Sequence, residues 1–488
     1  MTASQQTRRT ALRGGLAAIL ASGVAPAYAR NAFDAEVIVV GAGLAGLETA
    51  LRLKEAGRSV HVVEANVRQG GRLRTAYTLP GTPNLGGVQI GPGYTRLLAR
   101  AAAVGIEMAP EPAAPRNARL FLGTRALDGA SWRTDPGNPF PDAFKGLTPA
   151  AALFILSQAE GANPLRSLDD WRGPTGIAAD ISAAEFLGRA GFTADAQRLV
   201  DVGLNGNSLA TYSMLNLWRT QKLYEQERAL GGTLMVPGGT QRLTDAMSAR
   251  LQRPTHVRFP VASITSDDSG VTVRSVQGVS YRGQMCVAAL PFPALRRIEV
   301  TAPLSDITRE AIASLPYTQI LQVIIEPQVR FWEADGMPID MWSDGPLERA
   351  FSVRQADGAD TGLIMVWLNG GGVGPFDRAA FDWDNDNSST ALAEAVGREL
   401  GRLRPASEGQ VRVRAVQRWT ASNSRAGGAY MHWAPGQVAR WAGRMGAPAD
   451  RLVFAGEHLG LVHTGMEAAM ESAERAVTAV QERLARRS

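Results

Sequence analysis

Glu36-Val37-Ile38-Val39-Val40-Gly41-Ala42-Gly43-Leu44-Ala45-Gly46 is the stretch on which the reading of this chain turns. A short apolar run rich in β-branched residues enters a turn with glycine at its first, third and sixth positions. Leu44, Leu47 and Leu51 then recur at helical spacing, with Glu48, Arg52 and Glu55 between them, until Gly57 stops the helix. The pattern predicts a strand, a glycine turn and a helix. The next apolar run, Ser59 to Val63, ends in Glu64, 23 residues after Gly41. A dinucleotide-binding fold places there the acid that holds a ribose hydroxyl. The three glycines differ in what they allow. Gly41 permits the tight turn, Gly43 lets the backbone approach a pyrophosphate, and Gly46 lets helix and strand pack closely. The helix start at Leu44 and Ala45 offers unpaired N–H groups and a partial positive charge to phosphates.

The rest of the composition is consistent with an enzyme built around such a fold. The chain has 488 residues, 45% hydrophobic and 20% charged, enough for two packed cores, which excludes disorder, collagen and coiled coil. The single cysteine, Cys286, excludes an intramolecular disulfide and any zinc site built from several thiolates. No His/Asp/Glu grouping has metal-ligand spacing, so no metal is expected. The formal charge is +5. Setting aside residues 1–29, which carry Arg8, Arg9 and Arg13 and no acid, leaves +2. With no basic run elsewhere, a nucleic-acid partner is not expected.

Those first 29 residues read as a targeting segment. Thr7-Arg8-Arg9-Thr10-Ala11-Leu12-Arg13 precedes the apolar stretch Gly14 to Ala25 and the small-x-small pattern Ala27-Tyr28-Ala29. The apolar stretch is too short for a bilayer span, which needs about 20 residues. The paired arginines resemble the bacterial twin-arginine signal, which implies a periplasmic protein that starts near Arg30 and has no stable membrane anchor.

After Glu64 come Ala65, Gly70-Gly71-Arg72, Thr75, Leu85-Gly86-Gly87-Val88-Gln89 and Ile90-Gly91-Pro92. This run resembles the FAD-dependent amine oxidase family, which includes monoamine, polyamine and L-amino acid oxidases. The resemblance runs from about Asp34 to the C-terminus and is weakest between roughly 110 and 230. It implies an α/β fold, a Rossmann-like FAD-binding domain of the glutathione-reductase kind interleaved with an α+β substrate domain. The FAD domain would comprise 30–110, 231–290 and 411–488, and the substrate domain 111–230 and 291–410. Val236 to Leu243 resembles the family's glycine turn back into the FAD domain, and Val261 the strand residue whose backbone holds adenine. At the other end, Leu452-Val453-Phe454-Ala455 reads as a strand leading through Gly456-Glu457 to a helix with Met466, Ala469, Met470, Ala473, Val477, Val480 and Leu484 on one face. By resemblance, the start of that helix, at Gly465 and Met466, faces the flavin pyrimidine.

The resemblance also implies a reaction centre. Arg418-Trp419 and Ala426-Gly427-Gly428-Ala429-Tyr430 match the segment beside the flavin ring, and Tyr430 falls at one of two aromatic positions that sandwich a substrate amine. Ala429 stands where mammalian monoamine oxidases carry the cysteine that tethers FAD, so FAD is expected to be non-covalent, and Cys286 to be a buried hydrophobe. Three positions depart from the family. Gly465 replaces the second cage aromatic, Gln322 the lysine that holds a water near flavin N5, and Gln89 the arginine that binds the carboxylate in snake-venom L-amino acid oxidases. His463 lies beside the flavin. Tyr430, Trp419, Gln322, Gly465 and His463 therefore make up the expected reaction centre. The implied activity is oxidation of a small-molecule amine to an imine by hydride transfer to flavin N5, with reoxidation by O2 giving H2O2. L-amino acid oxidation and amine dehydrogenation to another acceptor are the alternatives. A flavin carrier without turnover and a carotenoid or porphyrinogen oxidoreductase are further ones, and a homodimer is left open.

Overall fold

A computed structural model describes residues 33–112, 118–377 and 390–486; the targeting segment and Arg30 lie outside the described residues. The opening stretch folds as β1 (Ala35–Val40), α1 (Leu44–Glu55) and β2 (Val60–Val63). β1 is buried almost throughout, as a strand in a sheet covered on both faces must be. It pairs in parallel with β2 and with Ser280–Ala288, and the latter pairs in parallel with Leu452–Phe454. The carboxyl ends of these strands meet along one edge, where Val40 gives way to Gly41, Val63 to Glu64 and Phe454 to the Gly456-Glu457 segment. Val261–Asp267, Gly270–Ser275 and Glu299–Thr301 extend this sheet to seven strands.

α1 packs against the sheet together with the C-terminal helix Gly465–Ala485. Leu44, Leu47 and Leu51 share one core with Met466, Met470, Val477 and Val480, the apolar positions read from the sequence. Two buried carboxylates tie the layer to the helix Thr95–Val104. Glu48 pairs with Arg52 and Arg100, and Glu467 accepts from the Leu97 N–H at 3.0 Å and from Arg96.

A second sheet, also seven-stranded, has the order Val411–Trp419, Ile320–Pro327, Asp360–Asn369, Arg349–Arg354, Met341–Ser343, Arg119–Leu122, Arg125–Leu127. It is antiparallel apart from the Met341–Ser343 pairing with Arg119–Leu122. Leu392, Val396 and Leu400 of the helix Thr390–Leu403 cover its apolar face. The sequence division at 290 and 411 differs from the sheets at two strands: Glu299–Thr301 joins the first sheet, and Val411–Trp419 pairs with Ile320–Pro327 in the second. Alternation along a segment marks a strand and its buried face but not its partner, which is set by contacts far away in sequence.

The close approach at Gly46 is the tightest constraint in the nucleotide-binding layer. A Cβ there would stand 2.0 Å from the Gly41 carbonyl oxygen, a backbone atom that cannot move aside alone. Gly188, in the helix Ala183–Arg189, is also a helical glycine, but a Cβ there would meet nothing nearer than the Gln197 amide nitrogen at 3.7 Å. Gly46→Ala is expected to destabilise by about 2 kcal/mol. Gly188→Ala is expected to stabilise by roughly 0.5–1 kcal/mol. Thermal unfolding followed by circular dichroism checks the opposite signs; a gain for both variants would contradict the packing argument.

Candidate active site

At the carboxyl edge of the parallel strands lies a cavity of about 1370 Å³, walled by both sheets. From the nucleotide-binding set, Gly41, Gly43, Leu44, Ala45, Glu64, Ala65 and Val261 line one part of it. Gly71, Arg72, Gly86, Gly87, Val88, Gln89, Gly456, Glu457, Gly465 and Met466 line the remainder. Gly46 lies outside the wall, beneath the turn, in the packing role expected of it.

Two helices begin at this cavity. α1 has Gly43 as its N-cap and the C-terminal helix has Thr464, and neither N-cap makes a side-chain hydrogen bond to the first turn. Each start therefore presents orphan N–H groups and the positive end of a helix dipole. A Cβ at Gly43 would meet only the Gly71 Cα, at 3.9 Å, so this backbone is bare on its cavity side. Glu64 braces the turn: its carboxylate accepts from the Ala42 N–H at 2.9 Å and from the Asn66 N–H at 2.8 Å. Across the cavity Arg72 Nη1 donates to Glu457 at 2.8 Å and to the Ala429 carbonyl at 2.9 Å, and the Met431 N–H donates to the same carboxylate oxygen at 3.3 Å. One ion pair thus joins the glycine turn at Gly70-Gly71, the Ala429–Met431 segment and the end of the strand Leu452–Phe454.

The reaction-centre residues gather in the same wall. Tyr430 is held by its backbone: Thr318 N–H donates to its carbonyl at 2.8 Å, and the Ala429 N–H donates to the Thr318 carbonyl at 2.8 Å. Its ring packs in a cluster with Ile320, Trp419 and Trp367, and burial pushes its phenol well above the ordinary range, so it is neutral. Trp419 is a buried indole whose N–H donates to the Leu85 carbonyl at 2.6 Å, which makes it a positioning residue for Leu85-Gly86 as well as part of the wall. Gln322 is buried, its Nε2 reaching only the Met365 sulfur at 3.7 Å and its Oε1 having no partner, so one acceptor in the wall is unsatisfied. His463 Nδ1 is 3.6 Å from Glu227 Oε1, with no hydrogen bond on either atom. Burial, reinforced by Arg96 and Arg219, holds the imidazole below its usual range and hence neutral near pH 7.

Gly465 does not leave an empty wall. A Cβ there would be 3.8 Å from the Tyr94 hydroxyl, and Tyr94 in turn meets His463 edge-on at 5.9 Å. An aromatic ring from a different element thus stands beside the glycine. Tyr94 follows Ile90-Gly91-Pro92 in the sequence and was within reach of that motif. Arg219, Asn205, Arg349 and Trp367 also line the cavity; they lie outside any motif, and long-range pairing brings them in.

Residues 44–481 match the family model described as flavin containing amine oxidoreductase. The chain belongs to that family. The enzyme is 26% identical over 471 residues to the L-amino-acid oxidase of Siganus canaliculatus, covering 91% of this chain and 84% of that protein. It is 23% identical over 481 residues to human flavin-containing amine oxidase B, covering 90% and 85%. It shares the fold of the cyclohexylamine oxidase from Brevibacterium oxydans, with a TM-score of 0.70 at 22% identity, over 92% of this chain and 99% of the other. The fold is α/β with a Rossmann-like FAD-binding half, and the enzyme is a flavin-dependent amine oxidoreductase. The cavity fits FAD by its own chemistry: the uncapped α1 start at bare glycine backbone suits the pyrophosphate, the Glu64 carboxylate and the Val261 backbone line the same part and suit a ribose and an adenine, and the start at Gly465-Met466 suits the pyrimidine. Among the described residues no group of three His, Cys, Asp or Glu could hold a metal, and no helix is long and apolar enough to cross a membrane.

Glu348, next to the wall residue Arg349, gives a pH-dependent test. It is buried, its Oε2 accepts from the Asn369 N–H at 2.7 Å, and burial pushes its carboxyl up to about 8. The native state keeps a proton there up to about pH 8, whereas an ordinary carboxyl releases it near 4.5. This group therefore withdraws stability as pH rises between those values. Glu348→Gln is expected to be more stable than the wild type by on the order of 1–3 kcal/mol at pH 8.5 and by much less at pH 5. Thermal midpoints at the two pH values check it; a constant difference would contradict the buried, protonated acid.

Proposed function

We propose that the enzyme oxidises an amine whose reacting carbon carries no carboxylate, with FAD held non-covalently. The observation that carries the choice is the neutrality of the side chains at the family's carboxylate-binding and N5 positions, Gln89 and Gln322. A carboxylate bound there would lack the charged partner that burial demands. Ala429 at the tether position, and Cys286 buried in a core strand with its thiol pushed up by burial, support non-covalent binding.

Bound in this cavity, FAD supplies the acceptor for the hydride that leaves the carbon next to nitrogen. The chain's own residues bind and orient the substrate. The Tyr430 ring offers its face to the amine nitrogen, the Thr318 clamp fixes the ring, and Tyr94 and His463 close the side beside Gly465. Gln322 presents its free carbonyl oxygen to an N–H or a water. The amine binds deprotonated, so no side chain need act as base, and neutral His463 adds no like charge. The imine product is hydrolysed by water to a carbonyl compound and ammonia or an amine.

Reoxidation by O2 giving H2O2 is the reading adopted. Gln322 favours a second reading, an amine dehydrogenase with another electron acceptor. The Arg8-Arg9 segment supports export to the periplasm, tested by locating the mature protein in cell fractions. The interleaved division into an FAD half and a substrate half is proposed with its boundaries moved to follow the two sheets.

The test is anaerobic. Flavin bleaching is followed with matched amines and α-amino acids, and oxygen is then admitted. Amines are expected to bleach the flavin and α-amino acids of the same carbon skeleton to fail; bleaching by the α-amino acids alone would overturn the proposal. Tyr430→Ala is expected to retain FAD and slow bleaching about 100-fold through loss of orientation. Gln322→Lys is expected to speed the return of the flavin colour in oxygen at least several-fold; no change would remove the argument built on position 322.

A further inference from the structure

Three neighbouring strands of the second sheet place Arg349, Trp367 and Gln322 in one row. Arg349 lies directly opposite Trp367, and Trp367 directly opposite Gln322. All three line the cavity. Adjacent strands are about 4.8 Å apart, so Arg349 stands roughly 10 Å along the sheet from Gln322, measured between backbones.

The Arg349 guanidinium is under-used. Its hydrogen bonds go to two neutral oxygens, the Gly203 carbonyl at 3.4 Å and the Asn205 side-chain carbonyl at 3.2 Å. Its Nε is buried and has no partner, and among the described residues it forms no ion pair. The adjacent Glu348 supplies no counter-charge: its carboxyl is turned to the Asn369 N–H, and burial keeps it protonated up to about pH 8. Arg219, the other wall guanidinium with an orphan Nε, is committed differently. It stacks over Trp171 at 4.2 Å and donates to the Gly460 and His463 carbonyls. Arg349 also borders the cage ring, since the Tyr430 hydroxyl and the Arg349 guanidinium both reach Asn205.

A half-buried guanidinium whose Nε is fully buried and unpartnered carries a desolvation cost that an anion would offset, and Arg presents a planar fork suited to a carboxylate. We infer that Arg349 is an anion subsite at the far end of the substrate cavity, and that the substrate is an amine carrying a carboxylate several carbons from the reacting carbon. The roughly 10 Å between the Arg349 and Gln322 backbones is the ground for placing the carboxylate several carbons from a reacting carbon beside Gln322, and the test below decides between that placement and an α-carboxylate. This inference rests on the amine reading above and names its substrate class.

The test compares pentylamine, 5-aminopentanoate and norvaline as reductants of the holoenzyme flavin without oxygen, and titrates the oxidised holoenzyme with glutarate by calorimetry. The wild type is expected to half-saturate with 5-aminopentanoate at a concentration about 10- to 100-fold below that for pentylamine. It is also expected to bind glutarate saturably. In Arg349→Met the two amines converge and glutarate binding is lost, while Arg349→Lys keeps part of both effects. Equal half-saturation by the two amines in the wild type, a readout that needs no variant, overturns the subsite while leaving the amine reading intact. So does an Arg349-dependent advantage for norvaline, since it places the carboxylate at the reacting carbon. If no amine bleaches the flavin yet glutarate binds in an Arg349-dependent way, the amine reading fails and the anion subsite stands.

Discussion

Two uncapped helix starts converge on the carboxyl edge of one parallel sheet, and the field they create governs the rest of the structure. Each start leaves N–H groups with no side-chain partner, a cost that an anionic ligand offsets. α1 can deliver its start to that edge only because Gly46 lets the helix settle onto the turn at Gly41, where any side chain would collide with backbone. The C-terminal helix delivers the second start because its apolar face shares the core of α1. The buried carboxylates Glu48 and Glu467 fix both helices against Thr95–Val104, so the two starts are held at a set separation.

The second sheet answers this field with a substrate wall. Its strand Val411–Trp419 reaches the nucleotide-binding half through the Trp419 N–H to the Leu85 carbonyl, the Arg72–Glu457 ion pair ties that half to the Ala429–Met431 segment, and the Thr318 clamp fixes Tyr430 over the cavity. The wall has a gradient along one row of the sheet. Gln322, neutral with a free acceptor, stands at one end of the row; Trp367 comes next; and Arg349 stands at the other end. The two sheets thus line different parts of one cavity.

The cofactor half was legible in the sequence because its signals are local. The glycine turn, the acid at Glu64 and the strand-to-helix passage through Glu457 can each be recognised from a short run of neighbouring residues, and the structure brings all of them to one cavity. The substrate half was legible only where a motif marked it, at Tyr430 and Gln322. Arg349 and Trp367 reach the wall through strand pairings between segments scattered from 320 to 419, and nothing in their own neighbourhoods announces those pairings. Gly465 shows the limit of reading one position at a time: the sequence shows the loss of an aromatic side chain there, but not that Tyr94, hundreds of residues earlier, stands beside it. For the same reason, the boundary drawn at 411 does not coincide with the sheets, since Val411–Trp419 pairs with Ile320–Pro327.

The central claim is that the two helix starts hold the two anionic parts of one FAD. The most direct measurement is a crystal structure of the yellow holoenzyme, read for where the cofactor's oxygens lie. The account predicts pyrophosphate oxygens within hydrogen-bond distance of the α1 start at Leu44 and Ala45, and a pyrimidine oxygen within reach of the Met466 N–H. Density for FAD with its pyrophosphate away from α1, or with its pyrimidine away from Gly465-Met466, would contradict it.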